Sequence, residues 1–138
     1  MAECCATETK LIYACSGASD VGEIADRVAR RLRDEGAAGM SCLAALGAGL
    51  SGYVQSAKGA DMNITIDCCK TACAKKTLER IGVKPTSYIL TGFGLVKGET
   101  PVTDKIIAEL SEKIKSTISS PASLEQMVTG GCSCGGKC

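Results

Sequence analysis

Ten cysteines and no histidine stand in this chain of 138 residues. A thiolate is both a nucleophile and a soft metal ligand, so the imbalance decides which chemistry is open to the protein. Without histidine there is no Ser–His–Asp triad, no Cys–His dyad, no HExxH zinc site and no His-ligated haem. A zinc site here must be all sulfur, or sulfur with carboxylate. The cysteines fall into three groups. Cys4 and Cys5 lie near the start. Cys15, Cys42, Cys68, Cys69 and Cys73 are spread between positions 15 and 73. Cys132, Cys134 and Cys138 sit in a Gly-rich end. Cys69 and Cys73 are spaced C-x3-C, one helical turn, so both face one point if the helix begins early. The tail spacing C-x-C-x3-C sets soft ligands close enough to chelate one ion. With Cys4 and Cys5, the tail can lend sulfurs to a central site or carry a second, exchangeable one.

The elements that must position these thiols alternate strand and helix. Strands are predicted over 11–15, 39–44, 62–67 and 87–90, from short apolar or alternating runs that end near turn residues. Asp20 is the expected N-cap of a helix in which Val21, Ile24, Ala25, Val28 and Leu32 recur at helical spacing before Gly36 stops it. Further helices are predicted over 50–57, 71–81 and 104–118, the last capped by Thr103, with a short helix opening at Ser120. This pattern predicts a single doubly wound α/β domain over 10–129. It has a four-stranded, mainly parallel sheet, right-handed crossovers and helices on both faces. A Cys-containing segment (1–9) precedes it and a Cys-rich tail (130–138) follows.

In such a sheet the carboxyl ends of the strands share one edge, where ligands collect. Cys15 ends the first strand, Cys42 lies at or near the end of the second, and Cys68 and Cys69 directly follow the third. Topology thus gathers residues distant in sequence. Four thiolates in one place suit a closed zinc site or an iron–sulfur cluster. Helix N-termini after Cys15 and Cys69 are expected to lower thiol pKa values there. Asp67 is expected to cap the following helix, the alternative being a role in orienting a ligand or acting as an acid. Taken alone, Cys42 reads as a small buried hydrophobe.

Other chemistries fit less well. Small phosphatases and arsenate reductases use C-x5-R, but Val21 stands where the arginine belongs. Gly47, Gly49 and Gly52 spell GxGxxG, yet no acidic partner follows at the required distance, and close helix–strand packing is the expected reason for them. Net charge is +1, from 16 basic and 15 acidic residues, and aromatics are 3% with no Trp. Neither a basic field nor stacking platforms are available, so no nucleic-acid partner is expected. Arg30, Arg31 and Arg33 lie among Asp26, Asp34 and Glu35 and read as a solvated helix face. The start of the chain lacks the pattern of a signal peptide, and residues 40–54 are too short and mild to span a bilayer. No membrane partner and a cytoplasmic location are therefore expected, with metal or thiol chemistry favoured over structural disulfides.

Several runs carry a likeness. They are Leu11-Ile12-Tyr13-Ala14-Cys15-Ser16-Gly17 continuing to 27, Met40-Ser41-Cys42-Leu43-Ala44, Ile66-Asp67-Cys68-Cys69-Lys70-Thr71-Ala72-Cys73 continuing to 78, and the region of Pro101-Val102-Thr103. In these the chain resembles the DGC-domain family, named for an Asp-Gly-Cys motif and a set of shared cysteines. The resemblance implies zinc binding, with the family cysteines falling on Cys15, Cys42, Cys69 and Cys73. Cys68 replaces the Gly of the name motif, and this additional thiol either adds a ligand or makes the site redox-active. The expectation is therefore a zinc protein using Cys15, Cys42, Cys69 and Cys73, with Cys68, Cys132, Cys134 and Cys138 as additional ligands and the metal ion as its partner. Two alternatives accompany it: a thiol, sulfur-transfer or redox enzyme in which Cys69 or Cys68 attacks, and an iron–sulfur cluster protein.

Overall fold

The computed structural model describes residues 8–119. Cys4, Cys5, Cys132, Cys134, Cys138 and the short helix expected from Ser120 lie outside the described residues. In chain order the elements are β1 (Lys10–Ala14), α1 (Asp20–Asp34), β2 (Gly39–Met40), α2 (Leu43–Gly47), α3 (Ser51–Gly59), β3 (Met62–Asp67), α4 (Cys73–Arg80), β4 (Thr86–Ile89), a 3-10 turn over Leu90–Phe93, and α5 (Asp104–Ile118). The four strands are all parallel, in the order β2-β1-β3-β4. The doubly wound α/β class is as the alternation predicts.

Side-chain period two divides the core. Ile12, Ala14, Ile64, Ile66 and Tyr88 face α1 and α5, where Ile24, Val28, Leu32, Ile107, Leu110 and Ile114 close over them. On the opposite face Tyr13 packs with Leu46, Ala57 and Leu78 of α2, α3 and α4. The apolar stripes of α1 and α5 therefore meet the central strands β1 and β3. That burial is the main force fixing the strand ends that carry Cys15 and Cys68.

Three local differences from the sequence expectation bear on the site. The cap of α1 is Ser19, whose Oγ accepts the Gly22 N–H at 3.2 Å. Asp20, one residue later, instead accepts the N–H groups of Val21, Gly98 and Thr100, so it fastens the loop after β4 to the start of α1. Second, β2 stops at Met40 and the chain turns into α2, because Leu and Ala favour helix over strand. Third, α4 starts at Cys73, two residues later than expected, because Ala72 is left-handed at φ 52°. Cys69 therefore lies in a turn, where its carbonyl accepts the Ala72 N–H at 3.0 Å.

The glycines of the 47–52 segment serve a purpose other than the expected packing. A Cβ at Gly47, Gly49 or Gly52 would meet nothing within 4 Å. Gly49 is needed for its φ of +73°, in the turn between α2 and α3. Close packing occurs instead at Gly22, where a Cβ would lie 2.5 Å from the Gly17 carbonyl oxygen. No described helix is long and apolar enough to cross a membrane.

Candidate thiol site at the carboxyl edge of the sheet

Cys15 continues β1 by one residue. Its N–H donates to the Ile66 carbonyl at 2.9 Å, extending the β1–β3 ladder. Cys68 follows β3 directly. The ladder brings the two buried thiols together, with their Sγ atoms 3.9 Å apart. Cys69 and Cys73 flank this pair, Cys69 half-buried and Cys73 exposed.

Cys68, Cys69 and Cys73 differ in acidity for identifiable reasons. Burial pushes the Cys68 thiol up to about 12, reinforced by its hydrogen bond with Cys69 and by Cys15 close by. Cys73 is also raised, first by desolvation of its sulfur and then by Cys15 and Asp67. Cys69 is lowered: the Thr71 hydroxyl, 3.5 Å from its sulfur, and the Thr71 backbone N–H come first, with Cys68 and Lys97 adding to the effect. Of these three thiols Cys69 is the most readily deprotonated, and its sulfur is the best placed to attack or to ligate as a thiolate.

Helix α4 contributes less to this than the sequence suggests. Ala72 offers no side-chain cap, and the Asp67 carboxylate takes its place, accepting the Ala74 and Lys75 N–H groups at 2.8 and 3.1 Å. The positive end of α4 is spent on Asp67, so Thr71 rather than the helix dipole acidifies Cys69. Asp67 is fully buried, and that burial raises its own carboxyl above the ordinary 3.8 in spite of the two amides. At α1 the first-turn N–H groups of Gly22 and Val21 go to Ser19 and Asp20.

Cys42 lies in a cavity it shares with Ala14 and Ser16, the chain neighbours of Cys15. It is exposed, not the buried hydrophobe its Ala-rich setting suggests, and its Sγ accepts the Ala45 N–H at 3.5 Å. The cavity, of about 620 Å³, is also lined by Asp26, Arg30, Arg33 and Thr77. The side chains of Arg30 and Arg33, read from sequence as a solvated face, form part of that wall.

The donor set suits a thiophilic ion. Two Zn–S bonds of about 2.3 Å at a tetrahedral angle place their sulfurs about 3.8 Å apart. The Cys15–Cys68 separation of 3.9 Å is close to that edge. Among the described residues, no three His, Cys, Asp or Glu side chains are already arranged as metal ligands. Cys69, half-buried, and Cys73, exposed, are the thiols whose side-chain rotation would complete a set.

Sequence reasoning missed the residues that tune the site. Thr71 follows Cys69 by two positions, a spacing at which a hydroxyl reaches back to its neighbour, so its role was within reach. Lys97 and the Asp20–Gly98 contact span the chain at separations no local pattern encodes.

A sequence profile of the DGC domain matches residues 11–119. Among curated proteins, the anaerobic and virulence modulator AnvM of Pseudomonas aeruginosa is 38% identical over 88 residues, covering 63% of this chain and 67% of that protein. No solved structure matches.

Proposed function

The chain belongs to the DGC domain family, and on that premise we propose that it binds a thiophilic metal ion, zinc foremost, through thiolates at the carboxyl edge of its parallel sheet. The observation that carries this reading is the 3.9 Å contact between Cys15 and Cys68, two buried sulfurs at the spacing of shared ligands. Burial of their sulfurs and the neighbouring thiols raise both Cys68 and Cys73, so a set of thiolates here calls for positive charge beyond that of Lys97. A divalent ion supplies the missing charge and draws the protons off. Cys15 and Cys68 form the inner pair in this reading, and Cys69 and Cys73 close the set. Cys42, from the family's set, faces the adjacent cavity and is the competing ligand. The relative AnvM is named a modulator. A bound ion that reports on thiol state suits a modulating role here too.

Zinc affinity, measured against a chromophoric chelator, tests the ligand set. The Cys15→Ser and Cys68→Ser variants are expected to bind zinc at least about 100-fold more weakly than the parent, and Cys42→Ser within about tenfold of it. The reverse pattern, with Cys42→Ser crippled and Cys68→Ser unaffected, would move the ion to the family's set.

A second reading rests on Cys69, half-buried and acidified by Thr71. Its sulfur attacks an external disulfide and releases one thiol, and Cys68 or Cys73 then attacks the Cys69 sulfur of the mixed disulfide, releasing the second thiol and leaving an internal disulfide. An iron–sulfur cluster is the third reading, since four thiolates serve it equally. Its visible absorption separates it from zinc.

A further inference from the structure

A feature not used by the proposed metal set is the cavity of about 620 Å³ beside Cys42, a volume within the usual range for small-molecule sites. Arg30 and Arg33 reach its wall from α1, one turn apart on the same helix face. Asp26 is the one acidic residue in the lining, and Arg33 is paired with Asp34 outside it, so what the wall offers an anion is the guanidinium N–H groups left over from these pairs. Each guanidinium has five N–H donors. Arg30 gives its Nε–H to Asp26 Oδ2 at 2.7 Å, and Arg33 gives its Nε–H and an Nη2–H to Asp34 at 2.9 and 2.8 Å. The rest remain for a ligand. Met40 and Leu43 make part of the wall apolar, and Ser16 adds a hydroxyl that donates to Asp26. The thiol of Cys42 lies in this same lining, exposed.

We propose that this cavity binds small carboxylate-bearing disulfides, the arginines holding the carboxylate while the Cys42 sulfur meets the disulfide. Arg supplies planar, bidentate recognition of carboxylate, and the apolar wall accepts a short carbon chain. In the reaction that follows, the deprotonated Cys42 sulfur attacks one sulfur of the disulfide. A Cys42–S bond forms and the ligand's own S–S bond breaks. The released thiolate carries off the electron pair and takes up the proton that Cys42 gave away, so the incoming disulfide is the oxidant and one small thiol leaves. The protein is left with a mixed disulfide at Cys42. This inference does not rest on metal binding, because Cys42 lies outside the set proposed for the ion.

The test is peptide-resolved mass mapping of Cys42 in the full chain, treated in parallel with the dianionic 5,5′-dithiobis(2-nitrobenzoate) and the dicationic cystamine. The ratio of the two rates at Cys42 is compared between the parent and an Arg30→Gln/Arg33→Gln variant, which cancels the intrinsic reactivity of the probes. Both arginines are surface residues and their exchange leaves the core untouched. The ratio is expected to fall at least about tenfold in the variant. Benzoate in excess is expected to slow the anionic probe several-fold at Cys42 and to leave Cys73 unaffected. A ratio unchanged within about twofold, or equal benzoate sensitivity at both cysteines, would overturn the proposal.

Discussion

Asp67 accepts the Ala74 N–H at 2.8 Å across seven positions, so the last residue of β3 caps the first turn of α4. The intervening turn carries Cys68 and Cys69, and Cys73 opens the helix. One buried carboxylate thereby fixes both ends of the segment holding three of the thiols.

Asp67→Asn keeps the shape but puts an amide donor where one acceptor oxygen was needed. It is expected to cost about 1–3 kcal/mol at neutral pH, read from the denaturant midpoint. The pH dependence has a definite sign. Burial raises the folded pKa of Asp67, so its contribution to stability is complete below the unfolded value and is lost as pH rises through the raised one. The deficit of the variant should therefore be largest in acid and narrow toward neutrality.

Gly22→Ala tests the contact between α1 and the turn before it. In an ordinary helix interior this change gains about 1 kcal/mol. Here the new Cβ would sit 2.5 Å from the Gly17 carbonyl oxygen, which is backbone and cannot step aside cheaply. A net loss of about 1–3 kcal/mol in thermal or denaturant unfolding is expected.

Much of the fold was legible because its signals are periodic and strong. The apolar stripes of α1 and α5 and the alternation in β3 reflect one-sided burial, and Thr103 caps α5 as its sequence suggests. The expected capping role of Asp67 is seen too. Parallel topology predicts that Cys15, Cys42, Cys68, Cys69 and Cys73 gather at one sheet edge, and of these Cys15 and Cys68 are in contact. What escaped depends on single backbone angles or distant partners. The left-handed Ala72 delays α4 and removes Cys69 from the helix, and no alanine announces such a conformation. The turn into α2 left Cys42 exposed in a cavity, where a longer β2 would have buried it. Asp20 looks like the cap, one residue past the true one at Ser19, because its own partners, Gly98 and Thr100, are far along the chain.

Asp20 should govern the loop it holds. Hydrogen bonds from Gly98 and Val21 hold its carboxyl below the ordinary 3.8. Its contribution is therefore present above that value and is lost as pH falls through the lowered folded one. Asp20→Ala is expected to speed amide exchange at Gly98 and Thr100 at neutral pH. The parent should show the same acceleration only in strong acid. Because the loop carries Lys97 toward Cys69, the variant should also slow alkylation of Cys69.

In metal-stripped protein the thiols should react in a set order. Iodoacetamide at neutral pH is expected to modify Cys69 well before Cys68, whose thiol lies at about 12. Thr71→Val removes the hydroxyl beside Cys69 and should slow its modification by roughly 2- to 10-fold, the worth of one hydrogen bond. Peptide mapping over time reads both outcomes. Equal rates at the two cysteines would contradict the assigned environments.

Metal content bears most directly on the central claim. The full chain, purified anaerobically without chelator, is to be measured for zinc and iron per chain alongside its absorption spectrum. The account predicts about one zinc per chain and no visible band, as a closed-shell ion held by thiolates requires. Iron with broad visible absorption would replace zinc by a cluster. A folded, metal-free protein with all its thiols titratable, and none protected on adding zinc, would contradict the metal-binding account and leave thiol chemistry at Cys69 in its place.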